Sequence, residues 1–174
     1  GVQFIVAAAP NLPDELFAPL VGAPDKARPT VVGAGFSRPV LVRDRTDDVL
    51  AASDVVITAS GTATVQAALH EKPMVVVYRL SPLTYRIGKP FVRVDTYAMA
   101  NLVAGERVVP ELIQEDFTAA RLAEETVRLL TDQDLHARTR EALHRVREKL
   151  GGPGASGRAA DAVLAVARSV SREV

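Results

Sequence analysis

Cysteine is absent from all 174 residues, which excludes disulfides, thiolate metal sites and a cysteine nucleophile. Histidine is scarce. Only His70, His136 and His144 occur, all on expected helices and none at metal-ligand spacing; they read as surface or hydrogen-bonded residues. Net charge is missing too, with 21 Lys+Arg against 21 Asp+Glu, which argues against a strongly basic nucleic-acid binder. No run of about 18 apolar residues appears, so no transmembrane helix is expected. The opening GVQFIVAAAP lacks a basic n-region and does not read as a signal peptide; it reads as a chain entered inside a strand. There is no repeat and no low-complexity tract. What is present is ordinary for a globular domain with a core of its own, 48% apolar and 24% charged residues.

The stretch that organises the chain is Val55–Arg79, VVITASGTATVQAALHEKPMVVVYR. Val55 to Ile57 is an apolar, β-branched run suited to a buried parallel strand. Ala59, Ser60, Gly61 and Thr62 form a small, hydroxyl-bearing turn. Thr62 to about Glu71 reads as a helix with Val65, Ala68 and Leu69 on its inner face, stopped by Pro73. Met74 to Val77 is a second strand, ending in Tyr78 and Arg79. The unit is β–turn–α–β, and its turn delivers a helix N-terminus to the carboxyl end of a strand. Amide groups without helical partners and the positive end of the helix dipole suit a phosphate there. Ser and Thr are equally ordinary helix caps, so a capped helix and an anion site both stand.

Upstream, Val2–Ala8 is a candidate buried strand. Asp14–Val21 is a short helix, with Leu16, Phe17 and Leu20 inward and Pro19 a weakness in its second half. Val31 and Val32 could begin a strand that Gly33 and Gly35 weaken. Val40–Val42 reads as a strand and Asp47–Ala52 as a helix. The alternation β-α-β-α-β-α-β implies a Rossmann-like parallel sheet with right-handed crossovers. Downstream, Ser81–Lys89 is a candidate helix with Pro82 at its first position. Val94 to about Glu106 reads as an irregular loop, and Glu111–Gln114 as one helical turn. The rest reads as helices. One carries a stripe of Ala119, Leu122, Ala123, Val127 and Leu130. The next, capped by Asp132 and closed by Gly151, carries Leu135, Ala142, Leu143, Val146 and Leu150. The last begins at Ser156, with Ala159, Val163, Val166 and Val170 inward. Residues 1–115 are taken as a Rossmann-like core and 116–174 as C-terminal helices packed on it.

Little here resembles acid–base machinery. No His lies near a nucleophile in a readable motif. Asp47–Asp48 and Glu124–Glu125 are neighbours that point different ways on a helix. The surviving set is the Ser60–Gly61–Thr62 turn, the Tyr78–Arg79 strand end and a loop with Asn101, which suits a nucleotide or sugar nucleotide. Arg79 is a fork donor for a diphosphate or one half of a surface ion pair.

Four segments together carry a family resemblance: ASGTAT at 59–64, KPMVVVYR at 72–79, NLVAGE at 101–106 and PELIQ at 110–114. In order and spacing they resemble the carboxy-terminal domain of lipid-A-disaccharide synthases, across roughly residues 48–150. The resemblance implies one half of a GT-B glycosyltransferase of lipid A biosynthesis. Such an enzyme transfers diacylglucosamine from UDP-2,3-diacylglucosamine to lipid X. It also implies no cofactor and no metal, with the UDP-sugar as substrate.

Ser60, Gly61 and Thr62 would face the diphosphate. Asn101, Leu102 and Gly105 would line the cleft, and Glu111 and Gln114 its nucleotide edge. Gln66 stands where the family usually carries the Glu that grips the ribose; its carbonyl still accepts a hydroxyl hydrogen bond. The amino-terminal acceptor domain and an opening L-P-G-S-R segment are not among these residues. No catalytic residue is therefore expected here, and the lipid acceptor would be met through that absent domain. The implied location is cytoplasmic, with peripheral contact to the inner membrane open to the longer enzyme; the oligomeric state stays open. Two other readings stand beside it, a UDP-sugar epimerase of GT-B architecture and a non-catalytic α/β interaction module.

Overall fold

The computed structural model describes residues 1–9, 12–21, 39–81 and 96–170. The strand candidate at 31–32 and the helix expected over 81–89 lie almost wholly outside these residues. The elements run β1 (Ile5–Ala8), a 3-10 turn (Asp14–Leu16), α1 (Ala18–Val21), β2 (Val40–Arg43), α2 (Thr46–Ala52), β3 (Val56–Ala59), α3 (Thr62–Leu69) and β4 (Met74–Tyr78). Then follow α4 (Met99–Ala104), β5 (Glu111–Ile113), a 3-10 turn (Gln114–Asp116), α5 (Ala119–Thr131), α6 (Gln133–Leu150) and α7 (Ala155–Val170). Among the described residues all strand pairings are parallel, and the strands form two sheets, β1–β2 and β3–β4–β5. The α/β class with a Rossmann-like sheet and C-terminal helices is what the structure shows.

β4 is the centre. It has a strand on each side, Val56 opposite Met74 and Val76 opposite Glu111, and its apolar run leaves neither face fit for water. Met74 and Val76 enter a core with Leu50, Ala67, Ala68, Leu143 and Val146. Val75 enters the opposite core with Leu112 and Leu129. Met74, Val75 and Val76 are fully buried, each contributing about 1.5–3 kcal/mol by removal from water. Helices α3, α4 and α6 cover one face and α5 the other, the three-layer solution for a parallel sheet.

The buried face of α3 differs from the expected one. Thr64, Ala67 and Ala68 are buried, while Leu69 is 42% exposed. Small side chains let α3 approach α4 and α6 closely. The Thr64 hydroxyl is satisfied by donating to the Gly61 carbonyl at 2.7 Å, so a polar residue can sit there.

Three further expectations need correction. The stretch read as irregular holds α4, with Ala100 and Asn101 buried. The segment read as a helical turn is strand β5, which pairs Leu112 with Val77 and Ile113 with Tyr78. Of residues 15–20 only Phe17 goes inward, under the Arg43 guanidinium at 5.6 Å, while Leu16 and Leu20 stay exposed. Pro19 sits in the first turn of α1, where its missing N–H costs nothing.

In α5 the buried residue is Leu129, and Val127 faces outward. The α6 stripe holds at Ala142, Leu143 and Val146, joined by Thr139. Thr118 and Asp132 cap α5 and α6 by accepting from Arg121 N and Leu135 N. Residues 155–168 of α7 are all exposed, Val163 at 68% and Val166 at 64%, so its apolar stripe covers none of this core. No helix among the described residues is long and apolar enough to cross a membrane.

Candidate functional site

β3 ends at Ala59, and the chain turns through Ser60 and Gly61 into α3. Gly61 holds φ 141°, ψ −159°, a region open almost only to glycine. An added Cβ there would meet nothing within 4 Å, so the requirement for glycine is conformational. Among the described residues no side chain caps α3. Thr64 N–H bonds to the Gly61 carbonyl at 3.1 Å, and the helix begins at the carboxyl end of β3. Thr62 and Gln66 are both exposed and lie one helical turn apart, on the same side of α3.

Ser60 is half-buried. Its hydroxyl donates to the Tyr97 carbonyl at 2.8 Å, which anchors the approach to α4 beside the turn. The donor proton of Ser60 is thus directed inward, and its oxygen keeps only acceptor capacity.

Glu111 and Asn101 form one unit. The Glu111 carboxylate accepts from Tyr97 N at 2.8 Å and Ala98 N at 3.0 Å, capping α4 from thirteen residues downstream. Asn101 is 1% exposed. It donates to Glu111 at 2.7 Å and to the Val109 carbonyl at 3.0 Å, and accepts from Val108 N and Val109 N. All four of its hydrogen-bonding positions are occupied. Leu102 is exposed on α4, and Gly105 ends that helix in the left-handed region at φ 81°.

Arg79 and Gln114 sit on the β5 side of β4, away from the β3 turn. The Arg79 guanidinium donates to the Phe117 carbonyl at 2.6 Å and stacks on the Phe117 ring at 5.1 Å. The Gln114 side chain accepts from Leu80 N at 3.2 Å and donates back to the Leu80 carbonyl. Together they tie the exit of β4 to the turn after β5.

The structure therefore gathers Ser60, Gly61, Thr62 and Gln66 at one mouth, with Tyr97 beside them. Asn101 and Glu111 stand behind that mouth as supports. Tyr97 carries no motif signal in the sequence, because its part is played by a backbone carbonyl. A separate concavity of about 300 Å³ lies between β5, α5 and α6, lined by Arg107, Glu111, Arg121, Glu125, Arg128 and Thr139 among others. Two of its arginines are already ion-paired, Arg121 with Asp116 and Arg128 with Glu125. Neither Ser60 nor Gly61 lines it.

A family model described as lipid-A-disaccharide synthetase matches residues 37–166. Curated relatives agree. The lipid-A-disaccharide synthase of Geobacter metallireducens is 46% identical over 164 residues, covering 94% of this chain and 40% of the relative. That of Trichlorobacter lovleyi is 41% identical over 167 residues, 95% of this chain and 40% of the relative. That of Myxococcus xanthus is 38% identical over 164 residues, with 94% and 40% covered. The chain spans about two fifths of the length of the curated relatives it matches.

Proposed function

The chain belongs to the lipid-A-disaccharide synthase family, and from that footing we propose that it is the donor-binding, carboxy-terminal half of a lipid A glycosyltransferase. The whole enzyme would move diacylglucosamine from UDP-2,3-diacylglucosamine to lipid X and release UDP. The observation that carries the reading is the α3 N-terminus, uncapped by any side chain among the described residues, at the carboxyl end of β3 and entered through a glycine-only conformation.

Parallel sheets take ligands outside their strand ends, and the first amides of a helix suit phosphate oxygens. As the glycosidic bond to UDP breaks, negative charge grows on the β-phosphate. Fixed N–H groups aimed there stabilise that charge without reorganising, in place of a metal ion. Gln66, one turn along α3, would accept from a ribose hydroxyl. Lipid X and the general base that activates its hydroxyl would be held by the remainder of the longer protein.

Family membership favours this reading over a UDP-sugar epimerase or a non-catalytic interaction module. The test is a titration with UDP, followed by calorimetry and by melting temperature, on the protein with the residues that precede Gly1 in its reading frame. UDP at about a hundredfold excess over Kd is expected to stabilise the protein by about 2.7 kcal/mol. No heat and no shift at millimolar UDP would overturn the proposal. Disaccharide formation from UDP-2,3-diacylglucosamine and lipid X then tests the transfer itself.

A further inference from the structure

Glu111 and Ser60 stand on opposite sides of β4 at one level of the sheet. Glu111 is paired with Val76, and Ser60 N–H bonds to the Val77 carbonyl at 3.2 Å. Two strand spacings, about 10 Å, separate the chain segments they belong to. Tyr97 bridges them. Its N–H donates to Glu111 Oε2 at 2.8 Å, and its carbonyl accepts from the Ser60 hydroxyl at 2.8 Å. One residue therefore holds the carboxylate at one end of its backbone and the turn before α3 at the other.

The next peptide group makes the link directional. Ala98 N–H donates to Glu111 Oε1 at 3.0 Å, and that N–H shares one peptide group with the Tyr97 carbonyl. A trans peptide is planar, so its N–H and C=O point opposite ways. Fixing the N–H on Glu111 aims the carbonyl, and the carbonyl is where Ser60 donates. The chain of bonds runs carboxylate, peptide, hydroxyl. Each link polarises the next, and the first is made to an ionisable acceptor, the stronger kind. Glu111 is itself held, because Asn101 Nδ2 donates to the same Oε1 at 2.7 Å. In β5 the side chain that enters the core is Leu112. Packing of the strand thus calls for no acid at position 111, whereas the Tyr97–Ala98 peptide does.

We propose that Glu111 is a positioning residue for the donor turn, acting through the Tyr97–Ala98 peptide on Ser60 without touching the nucleotide. Ser60 leads directly into Gly61, whose backbone sits at φ 141°, and Gly61 leads into the first amides of α3. Anchoring the Ser60 hydroxyl fixes the entry to that strained turn, and so fixes where those amides point. Both carboxylate oxygens face the backbone ahead of α4 and the Asn101 amide, which is why an acid serves the site from behind it. The donor half of this inference rests on the nucleotide reading above; the relay from Glu111 to Ser60 stands on the bonds alone.

A double-mutant cycle tests it, on the protein carrying its residues upstream of Gly1. Glu111→Leu removes every acceptor and is expected to weaken UDP binding about tenfold. Glu111→Gln keeps one acceptor oxygen for Ala98 and Asn101 and is expected to recover to within about threefold of the parent. In a Ser60→Ala background, where the relay is already cut, each substitution should change UDP affinity by less than about twofold. Equal fold-changes in the two backgrounds overturn the proposal, since they would mean that Glu111 acts by general stability. The relay is read without ligand from the Gly61 and Thr62 amide resonances. Glu111→Gln, which keeps the fold even if Glu111→Leu does not, is expected to displace both, and Ser60→Ala to reduce that displacement at least by half. Resonances that stay in place, or that move equally in both backgrounds, overturn the relay. A parent protein that shows the relay but binds no UDP overturns the nucleotide reading and the donor half of this proposal with it.

Discussion

Glu71 and His144 meet at 2.9 Å, carboxylate Oε1 to imidazole Nδ1, across the seam between the α3–β4 turn and α6. Arg147 donates to the same carboxylate oxygen at 2.9 Å. Glu71 holds φ 54° to make this reach. Hydrogen bonding to His144 chiefly holds the Glu71 carboxyl below its ordinary value of 4.5, against a smaller opposing effect of burial. The same bond and the carboxylate charge raise His144 above its ordinary 6.5.

The signs fix a pH dependence. His144 is raised, so its contribution is fully present below pH 6.5 and is lost as pH rises through the higher folded value. Glu71 is lowered, so its contribution is present above pH 4.5 and is lost as pH falls through the lower folded value. The pair is therefore strongest between about pH 4.5 and 6.5. In thermal melts, the deficit of His144→Gln relative to the parent is expected to be larger at pH 5.5 than at pH 8.5. A deficit independent of pH would show that the contact works by packing alone. The side chains are 46% and 20% exposed, so the effect should also shrink with added salt.

Asn101→Ala is expected to cost about 2–4 kcal/mol, because it strands the buried N–H of Val109 and the half-buried N–H of Val108 and removes a donor from Glu111. Urea denaturation measures this. Asn101→Asp keeps the acceptor but sets a second carboxylate against Glu111. Its stability should therefore recover partly as pH falls through the carboxylate range. A cost below about 0.5 kcal/mol for the alanine variant would mean that water replaces the amide.

Legibility in the sequence follows how local each cause is. β4 is visible because Met74–Tyr78 carries its own apolar run, and the start of α3 because Gly61 and Thr62 announce a turn. α6 is visible because Ala142, Leu143 and Val146 repeat at helical spacing between Asp132 and Gly151. α4 and β5 are not, since each depends on the other: α4 is capped by Glu111, and β5 is a strand because it lies on β4. A three-residue strand that opens on Glu leaves no periodic mark. The exposure of α7 is illegible for a further reason. An apolar stripe says that something covers it, not that the cover lies in the same 174 residues. In the site, the turn is legible as a motif. The partners already held by Ser60, Asn101 and Arg79 are not, because a polar side chain carries no mark of which partner it has.

Gly61→Ala separates strain from sterics. Open space surrounds the missing Cβ, so any effect comes from forcing a side chain into φ 141°. A loss of about 1–3 kcal/mol is expected in denaturant melts. UDP affinity should fall as well if the turn relaxes toward an ordinary φ and rotates the first amides of α3. Unchanged stability with weakened UDP binding would point instead to a ligand filling the space beside the glycine.

Arg79 is the sharpest test of which polar residues serve the site. Its guanidinium already donates to the Phe117 carbonyl and stacks on that ring, on the β5 side of β4, whereas the Gly61 turn follows β3. Arg79→Ala is therefore expected to lower stability by about 1–2 kcal/mol, the combined worth of an exposed stack and a charged hydrogen bond. UDP affinity should stay within about threefold, an energy difference under 1 kcal/mol. Arg79→Lys keeps the charge but loses the planar fork, so it should recover little of the stability. A diphosphate ligand would reverse the pattern: lysine would restore UDP affinity, and alanine would weaken it tenfold or more while the melting temperature barely moved. Calorimetry and melting curves on the two variants distinguish a strut between β4 and the 114–117 turn from a hand on the nucleotide.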